Sequence, residues 1–211
     1  MIWVVPMAIA AVIAVLDWWA VGTERRSIER WAKPAVMVFL IAAAVLIPAE
    51  SDWVRWWIVI GLAFGLVGDV LLFQDRFIPG AAAFLVGHLA YIVALVPIEH
   101  PLPAVIFGLV IVGAFAISLG RCIVRGAWRQ SPLLGGIVVA YMITIGAVVV
   151  LAVGSWSTVA GIAALLFMAS DTLLAWGRFV GSAPGGRVAV MVTYQLAQAG
   201  FVLAIPTLVI A

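Results

Sequence analysis

The sequence predicts an all-α polytopic membrane protein, a helical bundle of about eight transmembrane helices. Of its 211 residues 67% are apolar and 9% are charged, whereas a soluble domain carries about 25% charged residues. A soluble fold of this length has too small a core to bury so much apolar surface, so lipid must solvate most of it. The apolar runs are continuous rather than alternating, which favours membrane helices over the strands of a β-barrel.

Eight stretches approach the length of about 20 apolar residues that a helix needs to cross the hydrocarbon. They cover residues 2–22, 33–49, 54–73, 79–98, 102–120, 133–153, 156–176 and 188–210, the second being short. The first stretch lacks a basic leader and a small-residue cleavage site, so we expect a membrane helix rather than a cleaved signal. Together the stretches predict a single integral membrane domain over residues 1–211.

The basic residues predict an orientation. Ten of the eleven Lys and Arg residues fall in four alternate loops: Arg25, Arg26, Arg30, Lys33, Arg76, Arg121, Arg125, Arg129, Arg178 and Arg187. Arg55 alone falls on the other side. Because cytoplasmic loops are enriched in Lys and Arg, we expect these four loops in the cytoplasm and both termini outside, in the cell's inner or plasma membrane.

Two segments of the chain match each other. Residues 68–77 read GDVLLFQDRF and residues 170–179 read SDTLLAWGRF, in the third and seventh predicted spans. Four spans separate the copies, which predicts a 4+4 duplication with parallel halves, about residues 1–100 and 101–211. Helical rise puts each Asp about 10 Å from the Arg of its motif. Both aspartates are therefore expected at one shallow depth, near the cytoplasmic leaflet.

Asp69 and Asp171 are the strongest candidates for chemistry. A carboxylate in a membrane helix costs about 2.5–3.5 kcal/mol, and such groups usually face the protein interior and have a role. Two carboxyl groups in one pocket can share a proton, which provides one general acid and one general base. The alternative is structural: each Asp hydrogen-bonds to a neighbouring helix or pairs with Arg or Lys.

Further polar side chains lie in the spans. His88 can act as a third acid or base or orient a water, or it is a buried neutral imidazole. Tyr91 shares its helix face. A larger set either lines the same cavity or packs between helices: Tyr141, Tyr194, Gln195 and Gln198.

Residues near the predicted cytoplasmic ends are weaker candidates. Asp17 is expected to pair with Arg25 or Arg26 and is kept as a substrate-site candidate. Lys33 either meets a lipid phosphate or only extends to the headgroups. Three glycines, Gly61, Gly65 and Gly68, predict close helix packing.

The two motif copies differ around their aspartates. Ser170 places a hydroxyl beside Asp171, where it is expected to stabilise the anion. Asp69 precedes the span that carries His88, and it is therefore the expected proton donor. The single cysteine, Cys122, excludes an internal disulfide and no zinc-ligand spacing occurs, so no metal site is predicted.

Several segments resemble one known family. They read GLAFGLVGDVLL at 61–72, AAFLVGHLAY at 82–91, LLFMASDTLLA at 165–175 and TYQLAQ at 193–198, with Lys33-Pro34 near the start. In this order they resemble the YhhN-like lysoplasmalogenases over almost the whole chain. Gly65 and Gln195 depart from the family pattern, and neither departure touches the aspartates.

The resemblance implies an eight-helix enzyme that hydrolyses the vinyl-ether bond of lysoplasmalogens. The products would be a fatty aldehyde and a glycerophospho-ethanolamine or -choline. It implies no metal or organic cofactor, and its partners are a lysophospholipid substrate and the lipid bilayer, with no nucleic acid. Acid–base catalysis by Asp69, Asp171 and His88 suits this reaction, since a vinyl ether is hydrolysed through protonation at carbon.

Two other functions suit the same residues. A proton-coupled transporter of lipids or small molecules also uses repeats and intramembrane acids, and it would show helix breaks near the aspartates. A non-enzymatic lipid-binding membrane protein would tolerate Asn at both aspartates. The sequence predicts no oligomeric state.

Overall fold

Residues 1–210 fold into a bundle of eight helical rods. A computed structural model describes residues 1–210. The helices are α1 Val4–Gly22, α2 Arg26–Leu46, α3 Asp52–Phe73, α4 Phe77–Leu95, α5 Leu102–Phe115, α6 Arg121–Gln130, α7 Pro132–Gly154, α8 Thr158–Phe179 and α9 Gly186–Ala204. A π-helical turn, Ala116–Gly120, joins α5 to α6 in one 29-residue rod. No β-strand occurs in this part of the chain, so the all-helical prediction is confirmed.

Seven of the rods within residues 1–210 are long and apolar enough to cross a membrane. The exception is α2, because Arg26, Glu29, Arg30 and Lys33 occupy its first two turns. It still has 21 residues, enough for about 31 Å of helix. The outer surface of the bundle carries many exposed apolar side chains, among them Phe107 on α5. Such a surface requires lipid, and the protein is an integral membrane protein.

The prediction of a basic loop after residue 120 is wrong. Arg121, Arg125 and Arg129 lie within α6, which continues the fifth rod instead of reversing the chain. They recur every four residues and are exposed, while Ile123 and Ala127 on the other face are buried. This is the pattern of an amphipathic helix, and charge counting alone does not distinguish it from a loop.

The predicted loop between the first two spans is also shorter than expected. The chain turns through residues 23–25, with Glu24 in the left-handed region at φ 55°. Arg26 therefore begins α2, and Arg30 and Lys33 lie about one and two turns inside the helix. Helical charges can face a cavity in the bundle, which loop charges seldom do.

Glycines allow α3 and α4 to pack closely, as predicted. A Cβ at Gly68 would lie 2.6 Å from the Phe84 ring, and one at Gly87 would lie 3.1 Å from the carbonyl oxygen of Gly61. Helix α8 packs along α9 in the same way, with a Cβ at Gly200 only 2.8 Å from Ala163. The two pairs bring the ends of α3 and α8 to the same cavity. The duplication into two parallel halves stays a prediction.

Candidate active site

A cavity of about 520 Å³ opens at the end of the bundle where α3 and α8 end and α2, α4 and α9 begin. Its size is typical of a small-molecule site. Asp69 and Asp171 both contribute to its wall. Its other lining residues include Arg26, Glu29, Lys33, Leu72, Asp75, Phe77, Phe84, Ser170, Leu174, Arg178, Arg187 and Tyr194.

Asp69 forms a buried ion pair. Its Oδ1 lies 3.1 Å from Nζ of Lys33, with 2% and 8% of the two side chains exposed. Lys33 lies in the second turn of α2, and Pro34 follows it inside the helix. Oδ2 of Asp69 has no hydrogen-bond partner among residues 1–210. The pair therefore fixes one oxygen of the carboxylate and leaves the other free to accept a proton.

Asp171 faces a histidine. Nε2 of His88 lies 3.4 Å from Oδ2 of Asp171, too long for a tight hydrogen bond. Nδ1 of His88 lies 2.8 Å from the carbonyl oxygen of Phe84, one turn earlier in α4. Since a carbonyl oxygen only accepts, Nδ1 must carry the proton of that bond. Nε2 is left to exchange a proton with Asp171.

The imidazole of His88 is enclosed by aromatic rings. Its centroid lies 4.5 Å from that of Phe167 and 5.2 Å from that of Tyr141, both edge-on. Tyr141 also lies beside Asp171. Only 1% of His88 is exposed. These contacts keep water from the ring and fix its plane toward Asp171. The sequence-based expectation that His88 would serve Asp69 is thus wrong, because α4 presents His88 to α8.

Tyr194 and Ser170 both line the cavity, and Ser170 has a different role from the one expected. The Tyr194 hydroxyl lies near Asp69 and 3.5 Å from Sδ of Met37. Ser170 donates from Oγ to the carbonyl oxygen of Val190, 3.1 Å away. The expected stabilisation of the neighbouring anion by Ser170 is therefore not what the structure shows, because its one hydroxyl proton is used between α8 and α9.

Tyr91 and Gln198 lie behind the cavity wall. Tyr91 donates its hydroxyl proton to Oε1 of Gln198 and stacks on Phe201 at a centroid distance of 4.4 Å. Both polar residues are buried, and neither belongs to the cavity lining. This contact joins α4 to α9 beneath the site, which is the packing alternative given for Gln198, and it places Tyr91 outside the cavity lining.

Asp17 pairs with Gln195 rather than with Arg25 or Arg26, so that expectation is wrong. Nε2 of Gln195 donates to Oδ2 of Asp17 over 2.7 Å, and both side chains are buried outside the cavity lining. The reason lies in helix phase. Asp17 faces inward on α1 toward α9, whereas Arg25 and Arg26 are exposed beyond the end of the helix.

A scan against protein-family models matches residues 28–205 to the YhhN family. The chain belongs to the YhhN family. The resemblance seen in the sequence motifs is confirmed by this match, and the matched range contains both aspartates, Lys33 and His88.

Two mammalian proteins are similar to this YhhN chain. Lysoplasmalogenase TMEM86B of Sus scrofa is 33% identical over 140 residues, 63% of this chain and 55% of the pig protein. Lysoplasmalogenase TMEM86B of Mus musculus is 32% identical over 166 residues, 77% of this chain and 67% of the mouse protein. The chain thus spans about half the length of the pig protein and two thirds of the mouse protein. No solved structure gives a significant match.

One buried acid of this YhhN protein was not predicted from the sequence. Glu29 is 2% exposed, and Nη2 of Arg187 donates to its Oε1 across the cavity mouth. The signal was present, since Glu29 and Lys33 are four residues apart and share a helix face. That spacing places one cavity-facing ion pair directly above the other, so α2 supplies a polar wall to the site.

Phe84 was also missed. Its carbonyl oxygen accepts from His88, and its ring packs edge-on against Tyr194 at 5.6 Å. No residue type signals a role carried by a backbone carbonyl.

Within residues 1–210 no cluster of three His, Cys, Asp or Glu side chains has metal-site geometry.

Proposed function

We propose that this protein is a membrane hydrolase that cleaves the vinyl-ether bond of lysoplasmalogens, releasing a fatty aldehyde and a glycerophospho-alcohol. One observation carries the proposal: two aspartates of one cavity have different partners. Asp69 faces the ammonium group of Lys33, while Asp171 faces Nε2 of His88. The two similar mammalian proteins bear the name lysoplasmalogenase.

The partners suggest different protonation states. A lysine 3.1 Å away favours the carboxylate form of Asp69. Asp171 has no lysine or arginine within ion-pair distance in the described chain, and Nε2 of His88 can share a single proton with it. We assign the acid to the Asp171–His88 pair and the base to Asp69. This reverses the donor expected from the sequence, because His88 contacts the other aspartate.

The proposed reaction starts with proton transfer from Asp171 to the vinyl carbon beta to the ether oxygen. The electron pair of the double bond forms the new C–H bond, and an oxocarbenium ion results. The carboxylate of Asp69 stabilises this cation. Water then attacks the cationic carbon, and Oδ2 of Asp69 accepts its proton.

The hemiacetal formed in this way collapses in the second stage. Asp69 returns its proton to the glycerol oxygen, and the carbon–oxygen bond breaks. The hydroxyl proton of the hemiacetal passes to the Asp171–His88 pair as the aldehyde forms. Both residues regain their starting states, and one water is consumed per bond cleaved. No step requires a redox group.

The mouth of the cavity suits a phosphate headgroup. Arg26 and Arg178 line it without a carboxylate within ion-pair distance in the described chain, and the guanidinium of Arg178 lies 5.4 Å from the Phe77 ring centroid. A guanidinium group can bind phosphate through two parallel hydrogen bonds. A lysolipid bound here would place its ether oxygen below the arginines, toward the aspartates.

The transporter alternative has no support from the helix geometry near the aspartates. Helices α3 and α8 run unbroken through Asp69 and Asp171. The π-helical turn of the described chain lies elsewhere, at Ala116–Gly120.

The test is aldehyde release by purified protein from 1-alkenyl lysophospholipid, with the 1-acyl lysolipid in parallel. We expect aldehyde from the first and no fatty acid from the second. Asp171→Asn and Asp69→Asn should each slow release by about 10²-fold or more. Asp52→Asn, on the opposite end of α3 and exposed, is the matched control. Wild-type turnover by either cavity variant, or fatty acid as the only product, would refute the proposal.

A further inference from the structure

We infer that a second, apolar cavity beside Asp171 is the binding site for the aliphatic chain of a single-chain lipid, with Met142 and Ile137 of α7 as its specificity-determining residues. The identity of the lipid as a lysoplasmalogen rests on the proposed function.

The apolar cavity has a volume of about 70 Å³ and lies between α4, α7 and α8. One face of α7 forms its longest wall, at the three- and four-residue spacing of a helix. That wall consists of Leu134, Ile137, Val138, Tyr141, Met142 and Ile145. The few polar groups around it are occupied or at its edge: Thr172 donates from Oγ1 to the carbonyl oxygen of Met168.

The apolar cavity continues the polar one. Five residues line both cavities: Leu72, Phe77, Phe84, Asp171 and Leu174. Asp171 is the only titratable carboxyl group among these five. A molecule that lies across the junction therefore has its polar part among charged residues, its apolar part against α7, and the bond between them beside Asp171. In a lysoplasmalogen the vinyl ether is that bond.

The volume of the apolar cavity favours a single hydrocarbon chain as its ligand. A volume of 70 Å³ holds about five water-sized groups, enough for the first few methylenes after the vinyl group and too little for two chains. An apolar cavity of this kind does not hold water stably, since water needs two or more polar partners. A hydrocarbon chain is the ligand group whose apolar character matches the residues of the cavity wall.

The apolar cavity fixes the position of the bound lipid rather than raising its binding affinity. A chain that leaves the bilayer for this cavity exchanges one apolar environment for another, so its hydrophobic gain is small. Contact with the α7 wall instead fixes how far the lipid inserts, and hence which carbon lies beside Asp171. Misplacement by about 1 Å can cost about 10²-fold in rate.

A photo-crosslinking experiment tests the site without any turnover. The probe is a 1-O-alkyl lysophosphoethanolamine, which has no vinyl ether, with a diazirine on the fourth chain carbon. Mass spectrometry of the irradiated protein should locate the crosslinks on the inward face of α7 and on α8 near Met168. Met142→Trp fills the cavity and should lower this labelling by about tenfold, as an indole takes the space of several methylenes.

The matched control is Ile143→Trp, one residue along α7, where the side chain is 68% exposed on the outer face. It should leave cavity labelling unchanged. If Met142→Trp fails to fold, Ile137→Phe makes the same test with a smaller ring. Labelling confined to outward-facing residues, or labelling that neither cavity variant reduces, would overturn the inference.

The outcomes separate this inference from the proposed function. Aldehyde release with no cavity labelling would refute the chain site and leave the hydrolase proposal standing. Cavity labelling without aldehyde release from the vinyl-ether lipid would refute the hydrolase and retain a single-chain lipid site.

Discussion

Lys33 of α2 and Asp69 of α3 form an ion pair of 3.1 Å in the interior of the bundle, where only 8% and 2% of their side chains are exposed. Each charge is stable there because the other is present. The pair also lies in the wall shared by the 520 Å³ cavity and a neighbouring cavity of about 370 Å³ between α2 and α3. It is therefore a structural contact and a catalytic candidate at once.

Removal of one partner should separate these two roles. Lys33→Met leaves the Asp69 carboxylate buried without a counter-charge, which should lower the free energy of unfolding by about 3–5 kcal/mol. The double variant Lys33→Met/Asp69→Leu should recover most of that stability but no activity. Denaturation in detergent measures the first quantity and aldehyde release the second. Equal stability of wild type and Lys33→Met would contradict the buried pair.

Loss of the Nε2 atom should slow chemistry more than binding. His88→Asn removes the group that exchanges a proton with Asp171, and we expect kcat to fall by about 10²-fold with KM little changed. The chain has two histidines, which provides a control. His100→Asn, in the segment between α4 and α5, should keep wild-type kcat. A pure rise in KM for His88→Asn would show that His88 binds substrate instead.

A single methyl group tests the packing behind the site. Gly68→Ala would push a Cβ to 2.6 Å from the Phe84 ring and so displace the residue whose carbonyl oxygen holds His88. We expect a loss of about 1–3 kcal/mol in unfolding free energy, together with reduced activity. A Cβ at Gly113 would meet no atom within 4 Å other than the neighbouring backbone of α5, and Gly113→Ala should stabilise α5 by about 0.5–1 kcal/mol. Similar melting temperatures for the two variants would refute this account.

The Asp17–Gln195 contact should contribute mainly to stability. Gln195→Leu removes the only hydrogen-bond donor that Asp17 has within residues 1–210 and should cost about 1–3 kcal/mol. The control is Gln130→Leu, since Gln130 is exposed and donates to a carbonyl over 3.3 Å. Thermal unfolding of both variants in one detergent makes the comparison. A smaller loss for Gln195→Leu than for Gln130→Leu would refute a structural role for the pair.

Much of the fold could be predicted because the bilayer stabilises each apolar helix individually. A membrane helix satisfies its own backbone hydrogen bonds and needs only a long apolar run, so the runs themselves predicted the helices. The predictions failed where charged residues lie within a helix. Arg121 and Arg125 were assigned to a loop, yet they lie on an amphipathic continuation of the fifth rod.

The candidate site was predicted as a set of residues and not as a set of contacts. Two aspartates within apolar helices are costly, and that cost made Asp69 and Asp171 conspicuous without any structure. Glu29 was missed although its four-residue spacing from Lys33 indicated a shared helix face, and the carbonyl oxygen of Phe84 had no signal in the sequence; both were found only in the structure.

The sequence by itself determined that this is a helical membrane protein of the YhhN type with acidic groups inside its spans. Composition and motif order are properties of the linear sequence and do not depend on contacts between helices. The tertiary structure decided which acid meets which partner. Lys33 lies against Asp69 because α2 packs on α3, whereas His88 of α4 reaches Asp171 of α8 through its side chain alone. Partner choice depends on helix rotation and neighbours, which are set by contacts distant in sequence and leave no local pattern.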